Sequence, residues 1–152
     1  MPLGTRSDRR LIERSLVVAE IIGLDHVQLA MPAGQEAAAR AFYVGVLGLV
    51  EERKPANLQP RGGVWFKGGL LRLHLGVDAD FRPAKKAHPA LLVKGLAELT
   101  ERCRQAGYPP VNDETLEGFN RVYVSDPFGN RIELLESISD LSPSTAVEAH
   151  PR

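Results

Sequence analysis

The sequence predicts an α+β fold made of two related halves, each a strand, a helix and three further strands. Three observations lead there. Short runs alternate apolar with polar residues, as half-buried strands do, and two segments carry helical spacing instead. The candidate metal-binding side chains also repeat. His26 and His88 stand 62 positions apart (88 − 26), and His74 and Glu133 stand 59 apart (133 − 74).

Taken in order, Ile22–Ala30 reads as the opening strand and Gln35–Leu47 as a helix ending near Gly48. Strands are expected at Val50–Arg53, Gly63–Lys67 and Leu70–Val77, with turns at the glycine pairs 62–63 and 68–69. A polar loop with Pro83, Lys85 and Lys86 then closes the first half. The second half opens with a strand at His88–Val93. A helix at Leu96–Gln105 follows, stopped by Gly107 and Pro109-Pro110. A short strand near Val111 precedes strands at Arg121–Val124 and Arg131–Glu136, the last two joined by the turn sequence Ser125-Asp-Pro-Phe-Gly-Asn130. The expected layout is one domain over residues 22–137, with modules 22–77 and 88–137. Residues 1–21 read as an amphipathic helical extension, because Glu13 and Glu20 interrupt any secretion-signal pattern, and residues 138–152 as a peripheral tail.

Bulk properties narrow the function. Nineteen basic and nineteen acidic residues cancel, so the basic surplus of a nucleic-acid or anionic-membrane binder is lacking. No apolar run is long enough to span a bilayer. The single Cys103 fits a reducing cytoplasm, and its place in the apolar stripe with Leu96 and Leu99 makes it a core residue.

Side chains alternate across a strand, so each strand has two faces. Leu71, Leu73 and Leu75 oppose Arg72 and His74; Ile132 and Leu134 oppose Arg131 and Glu133; Val122 and Val124 oppose Arg121 and Tyr123; Val27 and Leu29 oppose His26 and Gln28. The aliphatic face is expected under helices and the polar face open. All four candidate ligands, His26, His74, His88 and Glu133, fall on the polar face. Imidazoles with a carboxylate suit one divalent Zn, Fe, Mn, Ni or Co ion and leave coordination positions free.

The segments Gly23-Leu-Asp-His-Val-Gln-Leu, Ala41-Phe-Tyr-Val-Gly-Val-Leu-Gly-Leu, Leu71-Arg-Leu-His-Leu, Ala87-His-Pro-Ala-Leu-Leu-Val and Asp126-Pro-Phe-Gly-Asn-Arg-Ile-Glu-Leu resemble the vicinal oxygen chelate superfamily. That superfamily includes glyoxalase I, fosfomycin-resistance transferases, extradiol dioxygenases and bleomycin-resistance proteins. The resemblance implies a glyoxalase-like fold, with paired βαβββ modules curling a mixed sheet around a central cleft. It also implies that His26, His88 and Glu133 are metal ligands, since they match the family's two histidines and one glutamate. His74 stands where glyoxalase I has a further glutamate ligand, and Tyr123 where fosfomycin-type relatives place a tyrosine near the substrate.

The expected activity is that of a metal-dependent lyase, isomerase or dioxygenase whose small substrate chelates the ion through neighbouring oxygens. Glu133, His74 and Tyr123 are the candidate catalytic residues. Gln28, Arg72, Arg121 and Arg131 are the candidate substrate contacts. His74 is open between two roles, fourth ligand or neutral acid–base. A bleomycin-resistance-like module that sequesters a small molecule without chemistry is the alternative. By analogy with small relatives, a homodimer is expected in which His26 and His74 of one chain meet His88 and Glu133 of the other.

Overall fold

The computed structural model describes residues 18–141. The alternating runs become strands and the two helical segments become helices. Their order is β1 (Val27–Met31), α1 (Glu36–Tyr43), β2 (Val50–Glu52), a 3-10 turn (Gln59–Arg61), β3 (Val64–Gly68) and β4 (Leu71–Val77). The second half contributes β5 (Ala90–Leu92), α2 (Leu96–Gln105), β6 (Phe119–Ser125) and β7 (Arg131–Ser137), with a last 3-10 turn at Ile138–Leu141. The first half forms a four-stranded sheet of order β1-β4-β3-β2 and the second a three-stranded sheet of order β5-β7-β6. In each, the opening strand runs parallel to the closing one (β1 with β4, β5 with β7), and the other pairings are antiparallel. This is a glyoxalase-like α+β architecture of two mixed sheets.

Several expectations need correction. The helix expected over Gln35–Leu47 stops at Tyr43. Beyond it Gly45 N and Leu47 N bond five residues back, to the carbonyls of Arg40 and Phe42, so the chain unwinds through wide turns. The opening strands start later than expected, at Val27 and Ala90, leaving His26 and His88 just before their sheets. Around Val111 a single bridge to Tyr123 replaces a strand, because the preceding prolines offer no N–H to a ladder. Of the expected N-terminal helix, residues 18–21 are not helical and residues 1–17 lie outside the described ones, as do residues 142–152 of the expected tail. The Gly68-Gly69 turn stands as expected: Gly69, with φ 55°, takes the first central position of the tight β3–β4 hairpin.

The core lies between the sheets and their helices. Helix α1 buries Ala39, Phe42 and Tyr43, α2 buries Leu96, Leu99 and Cys103, and the strands supply Phe66, Leu73, Leu75, Ile132 and Leu134. Cys103 is fully buried, and burial raises its thiol pKa, as the core reading requires. The N-terminus of α2 is closed from outside the helix. Glu136 of β7 accepts hydrogen bonds from Gly95 N (2.6 Å) and Leu96 N (3.3 Å), placing a carboxylate on the positive end of the helix.

The halves are joined at the β6–β7 turn. Asp126 accepts hydrogen bonds from Phe128 N (2.9 Å), Asn130 N (2.8 Å), Asn130 Nδ2 (2.9 Å) and the Tyr43 hydroxyl (2.8 Å). Asn130 Nδ2 also donates to the Ala30 carbonyl of β1 at 2.8 Å, and Asn130 Oδ1 accepts from Ala84 N at 3.0 Å. Burial, reinforced by the charge of Asp126, raises the Tyr43 pKa well above the usual 10. A raised folded value means that this contribution to stability is complete below about pH 10 and is lost as pH climbs through the folded pKa. Denaturant titrations of wild type and Tyr43→Phe above pH 10 are therefore expected to converge. Parallel curves would show that the phenol does not titrate with folding.

Candidate metal centre

The first half brings His26 and His74 together. Their rings stack with centroids 4.2 Å apart and 20° between planes. Trp65, the cross-strand neighbour of His74 on β3, lies on the His74 ring at 3.8 Å and 2°. His74 is thereby 3% exposed, and its Nε2 is buried with no hydrogen-bond partner among the described residues. The face expected to be open is covered at this point, because two flat side chains close over it. Burial, the largest cause, lowers the His74 pKa, and the Arg72 charge acts in the same direction, which favours the neutral ring that can bind a cation. A buried ring nitrogen without a partner costs about 1–3 kcal/mol, so a group that occupies Nε2 is stabilising. His26 is fixed through its other nitrogen: Nδ1 lies 2.8 Å from Asp25 Oδ2, leaving Nε2 as the available lone pair. Asp25 is in turn held by Arg72 Nη1, at 3.1 and 3.3 Å from its two oxygens, while Arg72 Nη2 reaches Glu52 at 3.4 Å.

The second half brings together His88, Glu133, Tyr123, Arg121 and Arg131. His88 Nδ1 lies 2.7 Å from the Lys86 carbonyl, and His88 Nε2 lies 3.1 Å from Glu133 Oε2. Both of these partners are acceptors, and a neutral imidazole has one proton to offer. A cation between Nε2 and Oε2 would satisfy the other contact. The 3.1 Å separation suits it, since two ligands on bonds of about 2.1 Å at roughly a right angle sit about 3 Å apart. Glu133 is buried, and its second oxygen, Oε1, accepts from Arg121 Nη1 at 3.0 Å. The same Arg121 nitrogen donates to the Tyr123 hydroxyl at 3.1 Å. Burial, followed by the charge of Glu133, raises the Tyr123 pKa, so its hydroxyl keeps its proton at neutral pH. Arg131 lies over the Tyr123 ring, 5.0 Å from its centroid, and among the described residues it has no carboxylate within ion-pair distance.

The four candidate ligands therefore stand as two pairs, His26 with His74 and His88 with Glu133. Among the described residues no three His, Cys, Asp or Glu side chains of one chain come close enough to hold an ion. Gln28 and His88, from different halves, line one cleft of about 350 Å³ beside β1. Sequence reasoning did not single out Asp25, Trp65 or the Lys86 carbonyl. Asp25 is the chain neighbour of His26, whereas only the β3–β4 register places Trp65 against His74.

Paired modules of this kind, each a strand, a helix and further strands with the opening strand parallel to the closing one, agree with the class to which comparison assigns the chain. Residues 23–134 match the model of the Glyoxalase/Bleomycin resistance protein/Dioxygenase superfamily, and the chain belongs to that superfamily. A glyoxalase family protein from Bacillus anthracis is 46% identical, with a TM-score of 0.75 over 79% of this chain and 98% of that one. A fosfomycin resistance protein, FosX, from Listeria monocytogenes is 18% identical, with a TM-score of 0.63 over 80% and 98% of the two chains. A glyoxalase/dioxygenase from Nostoc punctiforme is 19% identical, with a TM-score of 0.60 over 79% and 98%. The last two likenesses are of fold. No curated protein matches the chain in sequence comparison. Among the described residues no helix is long and apolar enough to cross a membrane.

Proposed function

We propose that the chain is a metal-dependent enzyme of the lyase, isomerase or dioxygenase type, with His26, His74, His88 and Glu133 holding one divalent ion. The observation that carries this reading is the 3.1 Å pair of His88 Nε2 and Glu133 Oε2, with the other His88 nitrogen already committed to a carbonyl. The buried Nε2 of His74, without a partner among the described residues, supports it from the other half. When bound, the ion supplies charge stabilisation for a substrate that presents two neighbouring oxygens.

The chain's own residues do the rest. Asp25 and the Lys86 carbonyl orient His26 and His88 through Nδ1. The Tyr123 hydroxyl is a hydrogen-bonding group beside Glu133, and Arg131, which has no carboxylate partner among the described residues, is the cation available to an anionic substrate. Gln28 reaches the same cleft as His88 and is a further polar contact. His74, buried and shifted towards its neutral form, suits a ligand better than a proton shuttle in contact with solvent. The separation of the four ligands into pairs favours a homodimer in which each site takes one pair from each chain.

Elemental analysis of the purified protein tests the reading. One divalent ion per chain is expected, lost in His26→Ala. A metal-free protein that binds its small molecule with full affinity would make the chain a binding module instead.

A further inference from the structure

Each nitrogen of the Arg121 guanidinium donates at least one hydrogen bond within the chain. Nε and Nη2 donate to the Glu114 carbonyl at 2.9 and 2.8 Å, and Nη2 lies 3.6 Å from Asp113 Oδ2. Nη1 donates to Tyr123 Oη and to Glu133 Oε1. The guanidinium is thus anchored by the 113–114 loop at one end and fastened to one oxygen of a buried carboxylate at the other. Its side chain is 17% exposed and that of Glu133 8%, so the contact is sheltered from solvent competition.

We propose that Arg121 is a positioning residue for the metal: by occupying Glu133 Oε1 it presents Oε2 alone, beside His88 Nε2, as a single-oxygen ligand. The inference rests on the metal reading above. The other half has a parallel construction, in which Arg72 holds Asp25 and Asp25 holds His26 by Nδ1. In both halves an arginine–carboxylate contact settles which atom faces the ion.

Two effects of Arg121 have opposite signs, which makes the idea testable. As a nearby positive charge it repels a divalent ion, so simple charge removal tightens binding. As a clamp it preorganises Glu133, so its loss weakens binding, by roughly tenfold to a hundredfold for a partner that orients a ligand. The experiment measures cobalt(II) affinity and visible absorption for full-length wild type, Arg121→Leu, Arg121→Lys, Glu133→Gln and Arg121→Leu/Glu133→Gln. Thermal unfolding of each metal-free protein is recorded alongside.

Arg121→Leu is expected to weaken binding by roughly tenfold to a hundredfold. Its cobalt absorption should also fall, as the released carboxylate chelates through both oxygens and raises the coordination number. Arg121→Lys, which keeps the charge without the fork, should recover only part of the affinity. In the Glu133→Gln background the leucine substitution should cause no further loss. Unchanged or tighter binding in folded Arg121→Leu overturns the positioning role, and so does an equal loss in the Glu133→Gln background. If Arg121→Leu does not fold, full affinity in Arg121→Lys overturns it. Wild type without cobalt affinity, or Glu133→Gln with full affinity, instead overturns the metal reading and removes the basis of this inference.

Discussion

Mixing a chain that carries His26→Ala and His74→Ala with a chain that carries His88→Ala and Glu133→Ala is expected to restore metal binding that neither has alone. Each double variant loses two of the four proposed ligands, and with them a large part of a binding free energy on the order of 10 kcal/mol. In a dimer whose sites take one pair from each chain, the mixed dimer has one site with all four ligands and one with none. Random exchange makes half of the dimers mixed, so recovery should reach roughly a quarter of the wild-type ion content per chain. Each variant should remain metal-free by itself. No recovery after verified subunit exchange would mean that the halves of one chain close on each other to complete the site.

The second large effect is expected far from the metal ligands, at Asp126. This buried carboxylate takes four hydrogen bonds, two from backbone N–H groups of its own turn, one from Asn130 Nδ2 and one from Tyr43 of the other half. Asp126→Ala leaves those donors without an acceptor. Each unpaired buried group costs about 1–3 kcal/mol, but some will reach water once the turn relaxes, so a loss of about 4 kcal/mol is expected. For a domain of this size that corresponds to a fall in Tm of about 10 °C. Asp126→Asn keeps an acceptor for the turn and should lose about half as much. Calorimetry or denaturant unfolding decides the matter: a loss below about 1 kcal/mol in Asp126→Ala would show that the turn does not bind the halves together.

The sequence made the repeat legible, because matched histidines and matched closing strands survive in any reading of the chain. Helix α2 was legible to the residue, since Gly107 and two prolines leave it nowhere to continue. Helix α1 was not, because nothing apolar or polar in Val44–Leu47 distinguishes a regular turn from the wide one that forms. The faces of the strands were legible from alternation, and the covering of those faces was not. His74 and Glu133 do lie opposite the aliphatic residues, yet both are buried, one under Trp65 and His26 and the other beside Arg121 and His88. Period-two alternation fixes direction, whereas burial depends on which side chains the register sets alongside. Glu136 shows the same limit. It shares the apolar face of β7 with Ile132 and Leu134, and only the packing of α2 against that strand explains a carboxylate there.

The face-to-face stack of Trp65 on His74 has a practical consequence. The chain contains one tryptophan, and its indole lies 3.8 Å from the ring proposed to face the ion. Indole emission responds to charge and to electron withdrawal in an adjacent aromatic ring, so whatever arrives at or leaves His74 is transmitted to a single chromophore. If an ion binds at His74 as proposed, this one indole would report its occupancy, free of background from other tryptophans and in need of no label.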